Sequence, residues 1–366
     1  MDSRAKGEGA VWAIGLMSGT SCDGIDAALV HTDGTSIDGF GSTFELSYDV
    51  AFRARLQSCF GGKGPVAAVE RELTERHADA VRQLLAEAGR TPSEIGVVGF
   101  HGQTIHHAPA RRQTVQIGDG ALLAKLTGID VVNDFRSADV SAGGQGAPLA
   151  PVYHLARAHG LPKPVAVLNL GGVGNVTWIG EDGTLIAFDT GPANALLDDW
   201  ALRHTGQPLD VDGALAKSGQ PSTAALAQLK SDPYFSLRAP KSLDRQHFRA
   251  LADAALAGLS AADGAATLVA FTVWSAAEAV STFPSPAREW LVCGGGRHNP
   301  AIMQRLRSAL SCPVRAVDEV GWNGDALEAQ AFAFMAVRSR RGLPLSFPGT
   351  TGVPQPMPGG RYHRAA

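Results

Sequence analysis

Two short stretches carry residues that could handle a phosphate. The first, GLMSGTSCDGID over residues 15–26, sets Gly19, Thr20 and Ser21 ahead of two carboxylates, Asp23 and Asp26. The second, FDTGPAN over residues 188–194, sets Asp189 ahead of Thr190 and Gly191. Glycine lets a backbone approach a ligand closely, and successive N–H groups form a concave donor array that suits phosphate. Phosphoryl transfer asks for donors and Mg²⁺ to spread charge, in-line positioning, and a base for the nucleophile. Two such loops, with acids for a metal and for a base, would make a nucleotide-dependent phosphotransferase. A Gly-Thr-Ser turn alone is as well explained by a plain hairpin; the second loop is what favours function. Asp189 reads either as a base at a strand end or as a cap for a helix starting near Ala193.

Other residues carry weaker signals. His101, His106 and His107 in HGQTIHH lack a third acidic or cysteine ligand at helical spacing, so a zinc centre is disfavoured. His101 is better read as a polar contact. Asp23 and Asp26 could hold Mg²⁺ through water, since that ion keeps its hydration shell, or Asp26 could face solvent in a strand. Arg136 follows a buried strand, where a surface ion pair is the plain reading and a role beside an acid the functional one. Glu328 is a pocket residue or a first-turn helix acid. Cys22 reads as packing, and Lys241 and Arg245 as a solvated loop.

These residues need a scaffold, and the pattern around them supplies one. Residues 11–17 read as a buried strand, 25–31 as its return and 43–48 as a third. The order recurs at 165–170, 176–179 and 184–188, again with a Gly-rich turn (GGVGN, 171–175) after the first strand. The match is of pattern, not identity, and indicates duplicated halves rather than a solenoid. Residues 69–89 carry apolar positions at helical spacing and end on Gly89. A strand over 290–293 runs into Gly294, Gly295 and Gly296, and 326–340 is a long apolar helix. Strands and helices alternate in blocks, giving an α/β class with mixed sheets.

The bounds are consistent with this. At 366 residues the chain suits two domains. Nearly half its residues are apolar and under a fifth charged, as in a folded globular protein. The formal charge of −3, with basic residues scattered, argues against nucleic acid as a partner. Four cysteines without C-x-x-C spacing suit a reducing cytoplasm. The polar residues 1–9 read as a loose tail, and the apolar run over 11–17 is too short for a signal core or a membrane span.

With these stretches in view, the sequence closely resembles the anhydro-N-acetylmuramic acid kinase family, within the fold group of sugar kinases, chaperone ATPases and actin. The resemblance runs from Ile14 to Gly352. It rests on GLMSGTSCDGID, FHGQTIHHAP (100–109), QIGD (116–119), VVNDFRSADVSAGGQGAPLAP (131–151), NLGGVGN (169–175), FDTGPAN, CGGGRHN (293–299) and EAQAFAF (328–334). A lone Gly-Gly-Gly is a weak signal; this ordered set is specific.

The resemblance implies two duplicated ribonuclease-H-like halves around a central cleft, 1–160 and 161–345. The 326–340 helix would cross back to the first half. The Pro- and Gly-rich composition after Gly342 reads, independently of the resemblance, as an extended tail over 346–366. It implies an enzyme of peptidoglycan recycling that takes 1,6-anhydro-N-acetylmuramic acid, ATP and water to N-acetylmuramic acid 6-phosphate and ADP, with Mg²⁺. Gly19, Thr20, Ser21, Cys22, Asp23, Gly24, Ile25 and Asp26 match the first ATP-phosphate loop. Gly171, Gly172 and Asn175, and Gly294, Gly295, Gly296 and Asn299, fall in the family's other nucleotide motifs. Asp189 matches the acid that deprotonates the attacking water, and Arg136 a residue lying against substrate and acid. His101, Gln103 and Gln145 fall in sugar-lining motifs, and Asp23 and Asp189 are the metal candidates. The family further implies a cytoplasmic homodimer. Departures are few: Cys22 where a bulkier apolar residue is common, Ala193 where glycine is usual, and Leu243-Asp244 in place of Thr-Gly before Arg245.

Overall fold

The protein is described here by a computed structural model covering residues 9–19 and 22–365. Thr20 and Ser21 of the expected phosphate loop, and residues 1–8 of the expected tail, lie outside the described residues. The chain forms two compact units, one of residues up to His159 together with Ala326 onward, the other Gly160–Asp325.

In the first unit, β1 (Val11–Met17), β2 (Gly24–Thr32) and β3 (Ile37–Ser47) form an antiparallel meander. β4 (Ile95–Phe100) lies parallel to β1, and β7 (Val131–Asn133) parallel to β4. A separate hairpin pairs β5 (Gln103–Ala108) with β6 (Gln113–Ile117). The run VWAIGLM is apolar throughout because β1 sits mid-sheet with both faces covered. Side chains alternate along a strand, so Ile14 and Leu16 join the core that includes Leu73, Val81 and Leu84 of the Val66–Ala88 helix. Gly15 faces the other way, where a Cβ would stand 1.7 Å from the Ala329 carbonyl oxygen. Its β4 neighbour Gly99 would place a Cβ 2.1 Å from the Phe332 oxygen. Two adjacent glycines thus form the seat on which the Leu327–Arg340 helix lies backbone to backbone.

The second unit repeats the plan. β8 (Val165–Leu170), β9 (Val173–Ile179) and β10 (Leu185–Pro192) are an antiparallel meander, β11 (Glu289–Cys293) runs parallel to β8, and β12 (Val314–Ala316) parallel to β11. The order β10-β9-β8-β11-β12 matches β3-β2-β1-β4-β7 strand for strand, in position and direction. The pattern indicated that duplication and a mixed α/β class, and the resemblance implied the ribonuclease-H-like plan. The apolar stretch Ala261–Thr282 has the length and composition of a membrane span, yet 67% of it is buried, in the core of this unit.

The tail over 346–366 departs from expectation. It is not simply extended: Pro348–Thr351 forms a helical turn, and Arg361–His363 adds a sixth strand antiparallel to β7. Gly352 and Gly360, both at positive φ, supply the bends that let a Pro-rich segment fold back. The Tyr362 hydroxyl donates to Asp130, and His363 pairs with Asn133 at 2.9 Å.

Candidate active site

In the first unit the end of β1 opens into the expected phosphate loop. The Gly19 carbonyl accepts from the Cys22 N–H at 3.1 Å, and Cys22 turns the chain at φ 54°, its side chain buried. Asp23 is exposed at the bend, whereas Gly24, Ile25 and Asp26 already belong to β2, with Ile25 in the core. Ile25 therefore supports the loop from beneath and cannot touch a ligand with its side chain.

Gln103 is fully buried, and both ends of its amide are committed. Its Oε1 accepts from Ser18 Oγ at 2.8 Å, and its Nε2 donates to the Gly19 carbonyl at 3.0 Å. Ser18 Oγ also pairs with the Tyr48 hydroxyl at 2.9 Å. Burial pushes the Tyr48 phenol well above its ordinary value, so it acts as a neutral hydroxyl. The resemblance cast Gln103 as a sugar contact; its bonds brace the Ser18–Gly19 bend.

His101, almost fully buried, holds a fixed tautomer. Its Nδ1–H donates to the Gly102 carbonyl at 2.7 Å, leaving Nε2 to accept from Arg136 Nη2 at 3.0 Å and Nε at 3.3 Å. Burial, with the Arg136 charge second, pulls the imidazole down to about 3, so it stays neutral at physiological pH. Arg136 Nη1 donates to the Gly146 carbonyl at 2.7 Å. Arg136, His101 and the loop bearing Gln145, itself half-buried, thus form one cluster.

In the second unit the sheet register aligns a polar row. Asp189 on β10 pairs with Asn175 on β9, which pairs with Asn169 on β8, beside Cys293 at the end of β11. Asp189 is 8% exposed and held from several sides. Its Oδ2 accepts from the Leu243 N–H at 2.7 Å, its N–H donates to the Lys241 carbonyl at 2.9 Å, and its carbonyl accepts from the Tyr234 hydroxyl. Lys241, over the Tyr234 ring at 4.3 Å, is held below its ordinary value by burial, with the Asp189 charge pulling the other way. Asp189 is not a helix cap; the Asn194–Thr205 helix receives no side-chain cap, and its first N–H groups reach back to the Gly171 and Gly172 carbonyls at 2.9–3.2 Å. Those glycines therefore tie β8 to the helix that follows β10.

The Gly294–Gly296 turn is built for close approach. At Gly294 (φ 75°) a Cβ would lie 2.3 Å from Asn169 Oδ1, and at Gly296 one would lie 2.6 Å from Leu170 Cβ. Of the three, Gly295 is the open one: among the described residues a Cβ there would meet only Asn194 Nδ2, at 3.6 Å. Asn299 accepts from the Ala301 and Ile302 N–H groups at 3.0 and 3.4 Å, so its oxygen is spent on a helix cap.

Arg297 and Tyr234 were missed as participants. The Arg297 side chain, 2% exposed, donates to the Gly294 carbonyl at 3.1 Å, to Asp318 at 2.7 Å and to Asp325 at 2.8 Å. A charged residue directly after a Gly-Gly-Gly turn was the available signal. Tyr234 lies in an irregular stretch and gave none.

The anhydro-N-acetylmuramic acid kinase family model matches residues 11–363. An anhydro-N-acetylmuramic acid kinase of Paramagnetospirillum magneticum is 59% identical over 351 residues, covering 96% of this chain and 99% of that one. One from Rhodospirillum rubrum is 57% identical over 372 residues, covering 100% and 97%. One from Acidiphilium cryptum is 55% identical over 359 residues, covering 96% and 98%. On that evidence the chain belongs to the anhydro-N-acetylmuramic acid kinase family and is a kinase.

Proposed function

We propose that the chain uses ATP and water to open the internal acetal of 1,6-anhydro-N-acetylmuramic acid and phosphorylate O6. The observation that carries the roles is the Asp189 clamp: a nearly buried carboxylate within β10, at the irregularity between Asp189 and Gly191 and not at the strand end the sequence suggested, with one oxygen fixed by the Leu243 N–H. Asp189 takes a proton from water as the water oxygen bonds to C1 and the C1–O6 bond breaks. The freed O6 bonds to the γ-phosphorus, ADP leaves, and Asp189 returns its proton to solvent. A carboxylate in that role is worth roughly 10²–10⁴ in rate. Arg136, with its guanidinium anchored on His101 and Gly146, contacts the sugar and steadies charge. The Ser18–Gly19 bend, braced by Gln103, receives the phosphates, and the Gly294–Gly296 turn, braced by Arg297, lies under the adenosine.

The residues present fit Mg²⁺. Among the described residues no three His, Cys, Asp or Glu side chains cluster as a cage, and Asp23 is exposed beside the phosphate loop. That suits an ion that keeps its waters and is bound through one carboxylate and the phosphates. Bound there, it would neutralise charge developing on the phosphoryl group. A cytoplasmic homodimer belongs to the same proposal, on the strength of the family. The test is whether oxygen from water enters the product at C1.

A further inference from the structure

We infer that Asp139, together with Thr351, is the positioning residue that aims Arg136 and Gln145 at the sugar; this rests on the substrate reading above. Asp139 is 2% exposed and touches none of the expected site groups as a ligand contact. Instead the 141–148 loop (SAGGQGAP) wraps around its carboxylate. Oδ1 accepts from the Gly146 N–H at 2.6 Å, and Oδ2 accepts from Thr351 Oγ1 at 2.6 Å. Its backbone carbonyl accepts from the Gly144 N–H at 2.9 Å. At Gly144 a Cβ would stand 2.2 Å from Oδ1, so only glycine lets the loop close this tightly.

Two connections lead from that carboxylate to the sugar-binding groups. The Gly146 carbonyl, fixed by its own N–H to Asp139, is the acceptor for Arg136 Nη1 at 2.7 Å. The Gln145 N–H donates to the Thr351 carbonyl at 2.7 Å, and Thr351 is fully buried. Among its described contacts Arg136 is held from two sides of different origin: the neutral Nε2 of His101, set by the sheet, and Gly146, set by Asp139. Losing the second removes a bond that sets the direction of the guanidinium. The C-terminal turn Pro348–Thr351, which composition suggested was a trailing segment, completes the sugar-binding loop.

The test compares the full-length chain with Thr351→Val, Thr351→Ser and Asp139→Asn. Two readouts are used: steady-state kinetics with the anhydro-sugar and ATP, and hydrogen exchange of the 141–148 backbone. Val removes the hydroxyl donor at constant shape, and Ser keeps it. The expected result for Thr351→Val and Asp139→Asn is faster exchange over 141–148. Sugar kcat/KM should fall on the order of 10- to 100-fold, as for a misplaced contact group, with the ATP KM little changed and Ser close to wild type. Unchanged exchange overturns the inference whatever the substrate. Faster exchange with unchanged sugar kinetics also overturns it, as does an equal loss in both KM values, which marks a merely structural role. A wild-type chain that does not turn over the anhydro-sugar sinks the substrate reading instead, while the exchange readout still judges the anchor.

Discussion

Acid should destabilise this chain through buried histidines, and His77 gives the cleanest case. Its Nδ1–H donates to the Leu73 carbonyl at 2.8 Å, its Nε2 is buried with no hydrogen-bond partner among the described residues, and its ring packs 4.7 Å from Phe100. Protonation would bury a second N–H with nothing to accept it. Burial accordingly pulls the imidazole down to about 4, while His101 and His154, in the same unit, fall to about 3. Each folded-state value lies below the unfolded value near 6.5, so the unfolded chain binds more protons in between. Stability is therefore complete above about pH 6.5 and is lost as pH falls toward the folded-state values. For His77 alone the loss works out at about 0.8 kcal/mol at pH 6 and about 2 kcal/mol at pH 5; three such groups lose about 6 at pH 5. That is comparable with the whole stability of an ordinary domain, roughly 5–15 kcal/mol. The assay is urea unfolding of wild type and His77→Leu at pH 7.5, 6 and 5. The gap between the two proteins should move in favour of the variant by about 2 kcal/mol from neutral pH to pH 5. A gap independent of pH would mean that His77 is not held neutral, and the reasoning from its orphaned nitrogen would be wrong.

Two further outcomes follow from packing and bracing. Gly99→Ala would drive a Cβ into the Phe332 backbone and should destabilise the first unit by roughly 1–3 kcal/mol or more, read as a lowered urea midpoint with unchanged slope. Arg297→Ala should release the Gly294 carbonyl and raise the ATP KM roughly tenfold, with sugar KM nearly unchanged; Arg297→Lys should not restore it, since a point charge cannot span Asp318, Asp325 and Gly294.

Much of this architecture was legible because the chain writes it twice. Apolar strands broken by Gly-rich turns at 18–24 and 171–172 are local signals, and both meanders lie where those signals put them. The specific motifs identified the family for the same reason: each is a contiguous run of residues. What stayed hidden depends on contacts distant in sequence. Gln103 looked like a ligand contact because its partners, Ser18 and Gly19, are some 85 residues away. The bond from Thr351 to Asp139 spans 212 residues, and nothing near either position announces it. Asn299 resembled a nucleotide contact in CGGGRHN, although an asparagine before Pro300 also meets the ordinary requirement for a helix cap. The tail misled because Pro and Gly signal irregular chain locally, while Arg361–His363 finds its partner in Val131–Asn133.

The central claim is that Asp189 activates water at C1 while O6 takes the phosphoryl group. The most direct measurement runs the reaction in isotopically labelled water with the anhydro-sugar, ATP and Mg²⁺, quenches early, and locates the label by mass spectrometry. Preformed product in the same water controls for exchange. Label at C1 of a 6-phosphorylated sugar, abolished with Asp189→Asn while ATP still binds, is the expected result. Label in the phosphate ester instead, or product formed at a near-normal rate by Asp189→Asn, would contradict it.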